Sequence, residues 1–440
     1  MSSTDARRIG GPDHPVVIRP GESRFLTAPL GVTLVEPAEG SPGATFPAGF
    51  LAGGVVAGLK DSGGPDMGVL AVEPACWSHA ASAAVFTTNA FAAAPIVLNK
   101  TECDLDHLTA VVINSANANA CTGAAGLTVA RAMQTACAET LGVPPATVAV
   151  CSTGIIGVQL DAGFMAAGAG KASLAIKATG GPEFNRSIMT TDRFPKICAY
   201  EVETSAGPVR LGVCGKGAGM ISPAMATMIC VGTTDAVLSP AQMQSLLTKA
   251  VAGSFNRVTV DGEMSTNDSV FFLSSGASGI YPSGDDLSRL EEALGAMLLR
   301  VALMMVADGE GATKLMLLHV AGAETAAGAT AVARAIANSP LVKTAMHGGD
   351  PNWGRIISSA GAAMAGRSLP NASLRLCDVM VVEAGAACPV SDSDHQSMAA
   401  AMKQPEIDIS LDLGLGSEST ELFFADMGHE YITINAEYHT

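Results

Sequence analysis

Aromatic side chains are scarce in this chain: Phe, Trp and Tyr make up 4% of its 440 residues, although 48% are hydrophobic. Small side chains supply the apolar bulk, with 48 glycines and runs such as "AGAGKASLAIKATGG", which implies closely packed elements rather than disorder. Charge is thin as well, at 15% of residues, and one-sided. A net charge of −16 with no local basic patch repels a phosphate backbone, so no nucleic-acid partner is expected. The longest apolar helix candidate, "LEEALGAMLLRVALMMVADGEG", is interrupted by Arg300 and ends in acids. It falls short of the roughly 20 apolar residues that a membrane span needs. The amino terminus has positive charge but no apolar stretch behind it, unlike a secretory signal. A soluble, cytoplasmic protein without membrane contact is expected.

Catalytic and metal signatures are missing too. Ten cysteines, at 76, 103, 121, 137, 151, 198, 214, 230, 377 and 388, contain no C-x-x-C pair. They read as reduced, mostly buried thiols, with neither zinc nor disulfides implied. "GVCGKGA" at 212–218 lacks the spacing of a phosphate loop, and its glycines read as a turn. "DGEMSTNDSVFF" at 261–272 begins like a calcium loop but has Thr266 and Phe272 where Gly and Glu are required. No H-E-x-x-H or G-x-S-x-G occurs, and the lone loop histidine His347 is expected to be structural.

Regular structure is present in quantity. "AVFTTN", "APIVLN", "LTAVVIN" and "TVAVCST" read as strands, and "AGLTVARAMQTACAETLGV", "SPAQMQSLLTKAVAGSF" and "DLSRLEEALGAMLLRVALMMV" as helices. Their alternation predicts an α/β protein. Helix starts are expected at Ser239-Pro240 and at Asp285 or Asp286. Residues 1–40, rich in Gly, Pro and charge, read as an irregular extension, with regular structure starting near "FPAGFLAGGVVAGLK". No fixed-period repeat suggests a solenoid.

One segment stands out: "KGAGMISPAMATMICVGTTDA", residues 216–236, sets Thr227 among small apolar residues behind a Gly- and Pro-rich lead-in. With "NSANANACTG" (114–123), "CSTGIIG" (151–157), "IMTTDRFPK" (188–196), "SFNRVTVDGEMSTNDS" (254–269), "DGEGATK" (308–314), "IANSPLVKTAMHGGDPNWGR" (336–355) and the terminal "YITINAEYHT", it resembles the self-cleaving ornithine acetyltransferases, also called glutamate N-acetyltransferases, of the ArgJ family. The similarity spans residues 45–440. Arg193 departs from the pattern, standing after "TTD" where Thr is more usual.

A threonine hydroxyl is a poor nucleophile without a base, and a free α-amine on the same residue supplies one at a reference pKa of about 7.7–8.0. An internal threonine has no such amine, so the Ala226–Thr227 bond must first break. The resemblance implies that the chain breaks it: the Thr227 hydroxyl attacks the Ala226 carbonyl, an ester forms, and water releases an amino-terminal threonine. Gly217, Gly219 and Pro223 would allow and hold the bent backbone, and small Ala224 and Ala226 leave room for attack. The implied reaction is ping-pong transfer of acetyl from N2-acetyl-L-ornithine through Thr227 to L-glutamate, a step of arginine biosynthesis.

The resemblance places the oxyanion hole at the Thr153 hydroxyl and the Gly154 amide. It places substrate contacts at Thr190, Lys216, Thr227, Glu310, Asn435 and Thr440. Lys216 suits an α-carboxylate and Glu310 the side-chain ammonium of acetylornithine. "DPNWGR" reads as a rigid turn around Pro351 with Arg355 pinning its neighbours, and Asn114, Asn117 and Asn119 as amides that either order a loop near the oxyanion donors or cap turns. The implied fold is a layered α/β sandwich of two intertwined products, an alpha chain of residues 41–226 and a beta chain of 227–440. Two copies of each are expected to form a heterotetramer. No cofactor or metal is implied, and acetyl-CoA as a second acetyl donor stays open. Two rivals stay open as well: a related N-terminal-nucleophile amidohydrolase or aminopeptidase, with water as acceptor, and an uncleaved, non-catalytic scaffold.

Overall fold

The computed structural model describes residues 23–35, 43–222 and 228–437, and within them the chain is α/β, with three sheets and eleven α-helices. It divides into two compact units, a larger one of residues 25–305 with 435–440 and a smaller one of 306–434 with 1–24. The larger unit carries β1 (Val32–Leu34), β2 (Phe50–Val55), β3 (Met67–Val72), β4 (Ala81–Phe86), β5 (Ala110–Asn114), β6 (Val148–Ser152), β7 (Lys196–Thr204), β8 (Gly207–Lys216), β9 (Ile229–Thr234), β10 (Val258–Thr259) and β11 (Ser269–Ser274).

Two sheets build this unit. In one, the order is β2-β3-β5-β6, antiparallel except for the parallel β5–β6 pair, whose register ends at Asn114 opposite Ser152. Helices Gly123–Leu141 and Ala162–Leu174 cover one face of it, where Val129, Met133, Cys137, Met165 and Ala169 pack on Met67, Val69 and Val112. The alanine and glycine content of both helices lets them lie close together.

The other sheet runs β1-β7-β8-β9-β11-β4. Its β9 and β11 are parallel neighbours, and every residue of both is buried, Thr233, Thr234, Ser269 and Ser274 included, as in strands covered on both faces. This sheet mixes strands from before and after residue 227: β9 joins β8 on one side and β11 on the other, and β11 joins β4.

In the smaller unit, β12 (Leu315–Ala323), β13 (Ser373–Leu376), β14 (Val379–Glu383), β15 (Ala386–Ala387), β16 (Glu406–Asp412) and β17 (Glu418–Ala425) lie in the order β17-β12-β16-β13-β14-β15. Its core joins Met316, Leu318, Ile407 and Phe424 of the sheet to Val332, Ile336 and Met346 of the helices.

Several expectations hold. Ser239 caps its helix in a full capping box with Gln242. The "DPNWGR" turn closes through Asn352 and Trp353 amides on the Asp350 and Pro351 carbonyls, and Arg355 reaches the Leu341 carbonyl at 2.8 Å.

Others are corrected. "APIVLN" is not a strand but the start of helix Ala94–Glu102, because Pro95 at the first turn has no N–H to lose there and is pre-set in helical φ. Asp285 and Asp286 lie inside the first turn of helix Asp285–Ala307, where the Asp286 carboxylate accepts from the Ser205 hydroxyl at 2.6 Å. Gly212 and Gly215 sit in β8 rather than in a turn, and a Cβ at Gly212 would come within 2.2 Å of the Gly43 carbonyl oxygen. Residues 1–40 are not wholly irregular, since β1 pairs antiparallel with β7, a three-residue strand too short to show a period. Cys137, Cys151, Cys198, Cys214 and Cys230 are buried, whereas Cys76, Cys103, Cys377 and Cys388 are half-buried and Cys121 is exposed. Burial pushes the Cys151 and Cys198 thiols up to about 12, far from thiolate chemistry.

Candidate active site

β5 and β6 end side by side, and the loops that leave them, 115–122 and 153–161, lie against each other. Thr153 donates its amide to the Asn114 carbonyl at 3.0 Å, Ala118 donates to the Ile155 carbonyl at 2.9 Å, and Gly157 donates to the Ala120 carbonyl at 3.0 Å. Of the two readings of the three asparagines, the structure favours the ordering of this junction. Asn114 accepts from the Ser152 hydroxyl at 2.6 Å, Asn117 donates to the Val158 carbonyl at 3.1 Å, and Asn119 donates to the Gly126 carbonyl at 2.9 Å. Ala116, Asn119 and Cys121 hold positive φ of 77°, 48° and 55°, a concentration of backbone strain such as marks functional loops.

Gly154 is required here twice over. Its φ is 132°, and a Cβ would fall 2.2 Å from the Ala116 carbonyl carbon. Its amide donates to no acceptor among the described residues. Beside it, Thr153 is buried and its Oγ lies 3.4 Å from Lys216 Nζ. An ammonium only donates, so Thr153 Oγ is the acceptor in that contact and keeps its own O–H. No acceptor for that hydrogen occurs among the described residues. Two adjacent unspent donors beside an ammonium make a small electropositive focus suited to an oxyanion.

Lys216 is the last residue of β8 and is also buried. Asp192 fixes its surroundings. The Asp192 carboxylate, fully buried, pairs with the equally buried Lys196 at 2.5 Å and accepts from the Gly217 amide at 2.8 Å and the Thr190 amide at 2.9 Å. Thr190 is thereby brought to the end of β8. Burial by itself raises the Asp192 carboxyl, but the Lys196 and Lys216 ammoniums, with the Lys196 and Thr190 hydrogen bonds, outweigh it and hold the group well below the usual carboxylate range. Lys60 shares this field: burial pulls its ammonium down, Asp66 and Asp192 act against that, and Lys216 adds to it.

Pro223, Ala226 and Thr227 lie outside the described residues, but the chain on both sides is described. Upstream, the Met220 amide donates to Asp261 at 2.5 Å and the Ile221 amide at 2.9 Å. The lead-in bends at Met220, whose φ is 56°, rather than at a glycine alone. Downstream, the Met228 amide donates to Asp268 at 2.9 Å. Asp192, Asp261 and Asp268 thus hold main-chain amides on either side of the segment. Sequence reasoning named none of them. Their signal was carboxylates recurring in loops between apolar strands, in segments read as family matches or, at 261–272, as a failed calcium loop. Asp261 also answers the failed calcium loop, for its oxygens are spent on amides. Among the described residues no group of three or more metal-ligating side chains occurs.

In the smaller unit, Glu310 is buried in the loop before β12. Gly311 turns that loop with a φ of 71°, where a Cβ would stand 2.5 Å from the Tyr431 amide nitrogen. Tyr431 belongs to helix His429–Glu437, whose exposed Asn435 already counts with the larger unit. Asp426 secures the other end of the loop. It accepts from the Thr313 amide and hydroxyl at 2.7 and 2.6 Å and from the Lys314 amide at 2.8 Å, and it meets His347 Nδ1 at 2.8 Å. His347 stands in helix Pro340–Gly348 rather than in the loop expected of it, and ties that helix to Asp426. Thr440 lies outside the described residues.

The ArgJ family model matches residues 51–440. The arginine biosynthesis bifunctional protein ArgJ of Nitratidesulfovibrio vulgaris is 41% identical over 394 residues, which cover 89% of this chain and 98% of that one. The glutamate N-acetyltransferase of Methanosarcina mazei is 41% identical over 370 residues, covering 82% of this chain and 91% of that one. Among solved structures, ornithine acetyltransferase of Mycobacterium tuberculosis complexed with ornithine is 36% identical, with a TM-score of 0.39, over 44% of this chain and 98% of that chain. A family match over most of the length, joined to two relatives at 41% identity, places the chain in the ArgJ family.

Proposed function

We infer that this protein is an acetyltransferase that moves acetyl from N2-acetylornithine to glutamate after cutting itself between Ala226 and Thr227. The names of its relatives support that activity. The observation that carries the chemistry is the pair of unspent donors at Thr153 and Gly154 beside the Lys216 ammonium. Every step of such a reaction passes through a tetrahedral oxyanion, and donors already aimed at it cost no reorganisation.

The chemistry runs in three stages. In self-cleavage the Thr227 oxygen adds to the Ala226 carbonyl carbon, the C–N bond breaks, the Thr227 nitrogen takes a proton, and water hydrolyses the ester. In the first transfer the freed amine accepts the hydroxyl proton as Thr227 attacks the acetyl carbonyl, and ornithine leaves with that proton on its amine. In the second, the glutamate amine attacks the acetyl ester and the proton returns to the Thr227 oxygen. Water as the acceptor would make the same site an amidohydrolase.

Lys216 fits both an oxyanion and an α-carboxylate, because the carboxyl carbon of an N2-acetyl amino acid stands three bonds from the acetyl carbonyl carbon. Thr190 lies at the same strand end. Glu310 serves the side-chain ammonium of acetylornithine, and Asn435, Thr440 and Thr227 complete the substrate contacts. No cofactor is needed, and acetyl-CoA is a candidate second donor for glutamate. The mixed strand order around β9 supports products that stay intertwined after cleavage, residues 41–226 with 227–440. Two such pairs forming a heterotetramer in the cytoplasm complete the proposal. Among the described residues no helix is long and apolar enough to cross a membrane.

Acetyl transfer from N2-acetylornithine to glutamate tests the reading. N-acetylglutamate is the expected product, and release of free acetate at the same rate with or without glutamate would favour the hydrolase instead. Thr153→Val, which keeps the side chain's shape and removes its donor, is expected to lower kcat by about 10²–10³ with KM little changed.

A further inference from the structure

Asn267 and Asp268 stand together in the loop before β11, both buried, and the reaction as written uses neither. Asn267 Nδ2 donates to the Ser152 carbonyl at 2.8 Å and to the Ala118 carbonyl at 2.6 Å, while its Oδ1 accepts from the Thr266 hydroxyl at 2.6 Å. Ser152 immediately precedes Thr153, and the Ala118 amide is bonded to Ile155, which follows Gly154. One side chain therefore grips both loops that present the two unspent donors. Asp268 Oδ1 accepts from the Met228 amide at 2.9 Å, and the Met228 carbonyl accepts from the Ser269 amide at 3.0 Å, so the residue bonded to Thr227 is held from both sides. Asp268 Oδ2 has no hydrogen-bond partner among the described residues although the residue is wholly buried. The nearby Thr87 hydroxyl donates instead to the Ser265 carbonyl at 2.8 Å. Burial drives the Asp268 carboxyl well above the ordinary range, against the opposing pull of the Met228 amide, the Lys216 ammonium and Thr87.

We propose that Asn267 and Asp268 are positioning residues for acyl transfer: Asn267 fixes the backbone that presents Thr153 and Gly154, and Asp268 fixes the peptide that follows Thr227, so that one dipeptide sets nucleophile and oxyanion donors in register. The proposal rests on the reading of Thr227 as nucleophile and Thr153 with Gly154 as oxyanion donors. A displacement of about 1 Å at such a site costs about 10²-fold in rate, because the reacting atoms must start near contact. Neither side chain has to touch substrate for this.

The test measures self-cleavage by mass, kcat and KM for acetyl transfer, and thermal unfolding for N267D, D268N and D268A in the full-length protein. N267D keeps the shape of the side chain but faces two carbonyls with an acceptor. Its kcat is expected to fall about 10²-fold with KM within about threefold of the parent. D268N keeps an oxygen for the Met228 amide and is expected to cleave and turn over within about threefold of the parent, whereas D268A cleaves slowly and loses about 10²-fold in kcat. Three results overturn the proposal: parental kcat in N267D, D268N and D268A impaired or unimpaired alike, or rate losses that merely track the unfolded fraction. If D268A does not fold, the N267D result and the fate of D268N decide. T153V run alongside separates this idea from the reading beneath it: parental kcat in T153V sinks the oxyanion assignment, whereas slow T153V with fast N267D sinks the clamp alone.

Discussion

Thr227→Ala is expected to leave the chain whole at 44.4 kDa and to abolish acetyl transfer. The parent, in denaturant, should separate into two fragments of similar size, the second beginning at Thr227. Alanine removes the only atom that attacks in both self-cleavage and transfer, and no neighbouring group can replace a covalent intermediate. The loss of transfer should therefore be about 10⁴-fold or more, the scale of nucleophile deletions. Intact-mass measurement and amino-terminal sequencing of parent and variant decide the matter. A parent that stays at 44.4 kDa would end the self-activation argument and give the lead to an uncleaved scaffold. Without denaturant the two fragments should elute as one species. β9, from one fragment, lies between β8 of the other and β11, and β11 in turn pairs with β4 of the first, so separation would unpair strands at two places in a buried sheet.

Asp192→Ala should produce the largest loss of stability. The substitution leaves Lys196 and Lys216 buried without their shared carboxylate and deprives the Thr190 and Gly217 amides of an acceptor. Breaking a buried ion pair from one side costs about 3–5 kcal/mol, because the remaining charge stays in a dry site without its carboxylate. Urea unfolding in the Thr227→Ala background, where the chain is a single species, measures the loss as a lower midpoint at unchanged slope. Adding Lys196→Met should recover part of it, since an apolar residue of similar length needs no partner there. The pH dependence has a fixed sign. A carboxyl held below its ordinary value stabilises the fold fully above the unfolded pKa of about 3.9, and that contribution is lost as pH falls below it. The parent should thus lose stability more steeply in acid than Asp192→Ala does. Equal acid slopes, or a loss below about 1 kcal/mol, would mean that water and local rearrangement satisfy both lysines.

Much of this was legible from the chain alone. Strand and helix alternation gave the α/β class, and the β-branched runs at 108–114 and 147–153 became β5 and β6. The structure lays "NSANANACTG" and "CSTGIIG" against each other through the Thr153 amide and the Ser152 hydroxyl on Asn114 and the Ile155 amide on Ala116. "APIVLN" misled because a six-residue apolar run has no decisive period, and only Pro95 betrays the helix. The aspartates escaped notice for a different reason. A carboxylate in a loop usually faces water, and nothing local announces that Asp192 will close on Lys196 and Gly217 or that Asp268 will hold Met228.

What the sequence determined, then, is chemistry and local geometry: a hydroxyl behind a Gly- and Pro-rich lead-in, a helix cap at Ser239, and small residues that allow close packing. These depend on side-chain type and on neighbours within a few positions, which a linear chain records directly. What only the tertiary structure decided is which distant groups share a buried space. Lys216 meets Thr153 across 63 positions, and Asn267 meets Ser152 across 115. Burial then set the character of each acid: the lysines and hydrogen bonds around Asp192 outweigh it, whereas at Asp268 the Met228 amide, the Lys216 ammonium and Thr87 do not, so two like side chains shift in opposite directions.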